Sequence, residues 1–132
     1  MQIGAYIREQ PKVLAELPTK TAAALAGFKS LAKTPERIVL VGTGSSMNAL
    51  LCAADAFEAL TGATVVAKEP EAYLRLPPKP NGQHTLVVVA SQSGTSLTPV
   101  EAAKNALAAG FAVIAVTGDG NSALARTGAD VL

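Results

Sequence analysis

One cysteine and one histidine leave little room for thiol, redox or metal chemistry in this 132-residue chain. Cys52 excludes an internal disulfide, and its apolar setting, Leu50-Leu51-Cys52-Ala53-Ala54, predicts a buried structural thiol. A nucleophilic thiol needs a neighbouring base, yet His84 is the only imidazole, and a structural zinc site needs several more ligands. Neither a metal nor a cofactor is expected. Charge is scarce as well: charged residues make up 16% of the chain, the net charge is +1 and no Lys/Arg run occurs. Such a surface has no broad electrostatic footprint for a nucleic-acid duplex or an acidic membrane, so any anion it binds is small. No uninterrupted apolar run approaches the roughly eighteen residues that a bilayer span requires, and Arg8 and Glu9 stand where a secretory apolar core would lie. The expectation is a cytoplasmic protein with neither nucleic acid nor membrane as partner.

What the chain does have is apolar content, 49% of its residues, enough for one folded domain with a sizeable core. Residues 1–35 are rich in Ala, Leu and Lys and read as an N-terminal helical pair, with Pro11 and Pro18 each tolerated in the first turn of its helix. Residues 36–132 alternate strands with helices. Ile38-Val39-Leu40-Val41, Thr64 to Ala67, Leu86 to Ala90 and Ala112 to Val116 are short continuous apolar runs, as strands buried on both faces are, and Val131-Leu132 begins a fifth. Helices are predicted from Ser46 to Leu60, where Thr61-Gly62 closes the run, and from Pro99 to Ala109. The second has Thr98 and Glu101 at capping-box spacing and Gly110 as its stop. Glu71 to Arg75 can make one helical turn among the breakers between Glu69 and Gln83, and Asn121 to Arg126 a short helix. This alternation predicts a three-layer, doubly wound α/β fold: a five-stranded parallel sheet of flavodoxin-like order 2-1-3-4-5. Ligands of such sheets bind at the carboxyl ends of the strands where the order reverses, here between strands one and three.

Two serine-rich turns converge on that point, Gly42-Thr43-Gly44-Ser45-Ser46 and Ser91-Gln92-Ser93-Gly94-Thr95-Ser96. Each joins a strand to a helix amino end, where free N–H groups and the positive end of the dipole favour a small dianion. Gly42, Gly44 and Gly94 allow close backbone approach, and the hydroxyls of Ser45, Ser46, Ser91, Ser93, Thr95 and Ser96 can donate to phosphate oxygens. Serine and glycine also serve as plain strand-to-helix punctuation, so one such turn alone would mean little; the pair at one switch point is the signal. A dinucleotide fold is the rival, because Gly42-Thr43-Gly44 begins like G-x-G-x-x-G and Glu69 follows the second strand. The third glycine position, however, holds Met47. An ATP-binding P-loop and a hydrolase G-x-S-x-G elbow are both absent.

The two turns resemble the G-x-[GS]-[ST]-S and S-x-S-G-x-[ST] motifs of the sugar isomerase (SIS) domain, and Ile7-Arg8-Glu9-Gln10-Pro11 looks like the entry peptide of the isomerase part of glucosamine-6-phosphate synthase and its relatives. The resemblance implies a phosphosugar-binding domain of an aldose–ketose isomerase or aminosugar-phosphate enzyme acting on a hexose 6-phosphate. It implies that Ser46, Ser91, Gln92, Ser93 and Ser96 hold the phosphate while Ser45 lines the sugar. Ser96 keeps the hydroxyl of a frequent threonine, and Thr95 replaces a frequent glutamate. Such relatives carry two tandem domains, with acid/base groups beyond the point matching Leu132, so the chain is expected to be incomplete as an enzyme. The alternative is a non-catalytic sugar-phosphate sensor. Within the chain, Glu58 is a weak candidate for a catalytic base, since the last turn of a helix disfavours negative charge. His84 precedes the third strand and should stand at the sheet edge opposite the crevice. The apolar N-terminal segment predicts a homodimer.

Overall fold

The computed structural model describes residues 3–132. Its centre is a five-stranded sheet of β1 (Arg37–Val41), β2 (Thr64–Lys68), β3 (Thr85–Ala90), β4 (Ala112–Val116) and β5 (Asp130–Val131), all parallel in the order β2-β1-β3-β4-β5. Fold class and strand order match the expectation. Apolar runs without polar alternation leave both faces needing cover. Val39, Val41, Val87 and Val89 pack on one face with α3 (Pro70–Arg75) and α4 (Leu97–Ala108). Ile38, Leu40, Leu86 and Val88 face the opposite way, toward α2 (Gly44–Thr61). Val41 stands level with Val89 in the β1–β3 ladder, so the chain leaves these two strands side by side at one edge of the sheet.

The N-terminal segment departs from the expected helical pair. A single helix, α1 (Ile3–Leu25), runs through both Pro11 and Pro18, followed only by a 3₁₀ turn at Lys29–Leu31. Each proline removes an i→i−4 bond, a defect that hurts most where the freed carbonyl is buried. No residue of α1 is buried, so water reaches those carbonyls. Ile3, Ile7, Leu14 and Leu17 are left exposed along it. Among the described residues, no helix is long and apolar enough to cross a membrane.

Three local expectations are also corrected. Cys52 is exposed rather than buried. The inward stripe of α2 is Met47, Leu50, Ala54 and Phe57, and Cys52 lies about 200° around the helix from Leu50. Thr98 does not cap α4, which already begins at Leu97 with Ser96 as its N-cap residue. Asn121 to Arg126 is a turn followed by a 3₁₀ segment at Ala125–Thr127. There the Asn121 N–H donates to Asp119 Oδ1 (2.8 Å) and the Ala125 N–H to Ser122 Oγ (3.2 Å), bonds that compete with a regular helix.

Tyr73 is the largest fully buried side chain, and its hydroxyl has no hydrogen-bond partner among the described residues. Burial pushes its pKa up to about 12, outweighing the opposing effect of the Arg37 charge. The neutral phenol is therefore the folded form. Between the unfolded value of 10.0 and about 12, the unfolded chain ionises while the folded one does not, so stability falls as pH rises through that window. Replacing Tyr73 with Phe should remove this alkaline loss and raise stability at neutral pH by about 1 kcal/mol, because the unpaired hydroxyl disappears. Urea melts at pH 7 and pH 11 test both effects; a variant less stable than the native chain at pH 7 contradicts them.

Candidate functional site

The first serine-rich turn begins where β1 ends. Gly42 is buried, and a Cβ there would lie 3.1 Å from Leu50 Cδ1 and 3.2 Å from Met47 N, so only bare backbone lets α2 start this close to the strand. Gly44 follows at φ +54°, a left-handed conformation that side chains resist. Thr43 is the N-cap residue without a side-chain bond, and its carbonyl accepts the Met47 N–H (3.3 Å). The N–H groups of Gly44, Ser45 and Ser46 thus head α2 without acceptors of its own turn. Ser45 is exposed and Ser46 half-buried at this mouth.

The second turn leaves β3 on the neighbouring strand. Ser91 is buried and still in the sheet ladder, its N–H donating to the Val116 carbonyl (3.0 Å). Gly94, at φ +61°, closes the loop by donating its N–H to the Ser91 carbonyl (3.1 Å). The Ser93 hydroxyl accepts from the Thr95 N–H (3.3 Å) and the Thr95 hydroxyl (3.1 Å). Gln92, Ser93, Thr95 and Ser96 are exposed at the same edge of the sheet as Ser45. Neither turn contains a titratable side chain. The two loops therefore offer amides, hydroxyls and two helix amino ends, a set suited to holding an anion and lacking a group to transfer a proton.

A third turn, Thr117 to Ser122 after β4, carries no functional reading in the sequence, yet it braces the second. The Gly118 N–H (2.9 Å) and the Thr117 hydroxyl (3.3 Å) both donate to the Gln92 carbonyl, and the Leu124 N–H donates to the Gly94 carbonyl (2.9 Å). Gly94 packs directly on Thr117 and Ser122. The available signal was one more Thr-Gly turn at the carboxyl end of a strand, but its partners become visible only in three dimensions.

Other candidates lie elsewhere. Glu58 is exposed near the far end of α2, thirteen residues beyond Ser45 and therefore about 20 Å along the helix from the turns. His84 stands just before β3 at the opposite edge of the sheet, its N–H donating to the Glu36 carboxylate (2.8 Å). Met47 is buried against the sheet in the position where a dinucleotide motif would need glycine.

A family model described as "SIS domain" matches residues 30–131. No curated protein matches in sequence. Among solved structures, a candidate phosphosugar isomerase from Clostridium difficile 630 superposes with a TM-score of 0.84 and 24% identity, covering 100% of this chain and 37% of its own. A second candidate phosphosugar isomerase, from Silicibacter pomeroyi DSS-3, gives 0.79 and 26%, over 93% of this chain and 38% of its own. The C-terminal domain of glucosamine-fructose-6-phosphate aminotransferase from Francisella tularensis gives 0.64 and 21%, over 74% of this chain and 27% of its own. The chain thus spans well under half the length of each of these structures.

Proposed function

The chain belongs to the SIS domain family, and on that premise we propose that it binds a sugar phosphate, with the phosphate held between the first and second serine-rich turns. The observation that carries this reading is their juxtaposition: β1 and β3 are adjacent and in level register, so both helix amino ends open on one crevice. In this reading Ser46, Ser91, Gln92, Ser93 and Ser96 surround the phosphate, Ser45 lines the sugar, and Gly42, Gly44, Gly94 and Thr95 shape the backbone around them. Hydroxyl and amide donors suit a dianion in a chain whose net charge is only +1. The similar structures include two candidate phosphosugar isomerases and a glucosamine-fructose-6-phosphate aminotransferase domain, which supports a hexose 6-phosphate as ligand.

The intact protein is proposed to interconvert or aminate such a sugar, with the proton-transfer group supplied from outside the two turns. A sensor that binds without catalysis is the second reading, favoured by the absence of any titratable side chain in the turns. Isothermal titration of the 132-residue chain should give fructose 6-phosphate or glucosamine 6-phosphate a Kd below about 1 mM, the upper end of ordinary substrate affinities. NAD should give no heat. A folded sample that binds NAD and neither sugar phosphate defeats the reading. NMR of the bound sugar, followed for exchange at C1 and C2, separates enzyme from sensor.

A further inference from the structure

We infer that Thr117 is a positioning residue: together with Gly118 it fixes the Gln92–Ser93 peptide plane so that the Ser93 N–H is aimed into the crevice between β1 and β3. The ligand in this inference rests on the sugar-phosphate reading; the geometry does not. In a trans peptide the carbonyl and the following N–H lie in one plane and point in opposite directions, and the described chain has no cis peptide. The Gln92 carbonyl is held on the β4 side by two donors, the Gly118 N–H at 2.9 Å and the Thr117 hydroxyl at 3.3 Å. β4 flanks β3 on the side away from β1. The Ser93 N–H therefore points toward β1, across the crevice to the mouth of α2. Among the described residues, no group accepts a hydrogen bond from it.

The Thr117 hydroxyl is itself kept in one orientation. It accepts the Asp119 N–H (3.4 Å), which leaves its proton for Gln92, and Ser122 Oγ stands 3.5 Å away. Ser122 in turn is buried and accepts the Ala125 N–H (3.2 Å). Both acceptor directions of the Gln92 carbonyl are thus filled, and a rotation of the peptide that turned the Ser93 N–H away would break two bonds at once. A turn contributed by β4, one strand beyond the crevice, sets the direction of a backbone donor inside it.

The test compares Thr117→Val, which keeps the volume and loses the hydroxyl, with Thr117→Ser, which keeps the hydroxyl. In the native chain, fructose 6-phosphate and inorganic phosphate should both shift the Ser93 amide proton resonance downfield. Thr117→Val should weaken fructose 6-phosphate binding about tenfold, the loss of roughly one hydrogen bond to an anion, and shrink the Ser93 shift with little change in melting temperature. Thr117→Ser should restore both. Native-like affinity and shift in Thr117→Val overturns the inference, as does a Thr117→Ser variant that fails equally, since the methyl group would then be what matters. If the native chain binds neither fructose 6-phosphate nor phosphate, the sugar-phosphate reading falls by itself. The positioning role is then decided by hydrogen exchange: Thr117→Val must speed exchange of the Gly118 and Leu124 amides while those of β1 stay protected, and unchanged exchange overturns it.

Discussion

Replacing Gly94 with alanine is expected to lower the melting temperature of this chain by about 10–15 °C and to abolish the proposed sugar-phosphate binding. A Cβ at this position would run into Ser122 Oγ and stand 2.5 Å from Ser122 Cβ and 2.6 Å from Thr117 Oγ1. Those atoms cannot simply rotate away, because Ser122 is buried and its hydroxyl is bonded to the Ala125 N–H. The backbone adds a second penalty, since φ is +61° and an L side chain resists the left-handed region. Overpacking of about 1–3 kcal/mol and a conformational cost of about 1–2 kcal/mol together give the expected shift for a domain of this size. Calorimetry of Gly94→Ala beside Gly94→Ala/Ser122→Gly divides the contributions: the double variant should regain the part of the steric cost due to Ser122 and keep the deficit due to φ and to Thr117 Oγ1. A single variant melting within 3 °C of the native chain would show that the second and third turns are not packed as described.

The largest effect on binding with the fold intact is expected from Ser93→Asp. Ser93 is exposed, and its oxygen acts as an acceptor for two groups of Thr95, a role that a carboxylate can take over. The turn should therefore keep its shape and the chain its melting temperature. A phosphate dianion entering the crevice would meet a like charge at contact distance. At an effective dielectric near that of a protein surface this repulsion amounts to a few kcal/mol, so affinity for fructose 6-phosphate should fall at least about a hundredfold. Ser93→Ala, which removes a donor and adds no charge, should lose only about fivefold. Titration of both variants checks the contrast. Equal losses would mean that the phosphate lies outside the turn, and an unaffected Ser93→Asp would remove the anion site from this crevice altogether.

The two turns were legible in the sequence because each is a local device. Glycine at 42, 44 and 94 and hydroxyls around it follow an apolar run and precede a helical pattern, and those features need no knowledge of distant residues. Their meeting was legible as well, since parallel strands joined by short right-handed crossovers admit few orders and the reversal point follows from the order. Cys52 shows where such reasoning stops. Its neighbours are all apolar, but a helix shows the core only a stripe, and which stripe is fixed by the sheet beneath it, not by local composition. The prolines of α1 mislead for a related reason. Their cost depends on burial of the carbonyls they free, and a helix with no buried residue escapes that cost.

By itself, then, the sequence determined the layered α/β class, the strand order and the position of two serine-rich turns on one crevice, because periodicity, turn chemistry and handedness act over short stretches of chain. Only the tertiary structure decided what holds the second turn in shape. Gln92 and Thr117 lie 25 positions apart and no local pattern links them; they meet because β3 and β4 pair in a register that brings Ser91 to Val116 and sets Gly94 against Ser122. The inferred direction of the Ser93 N–H follows from that contact, through the rigidity of a single peptide plane.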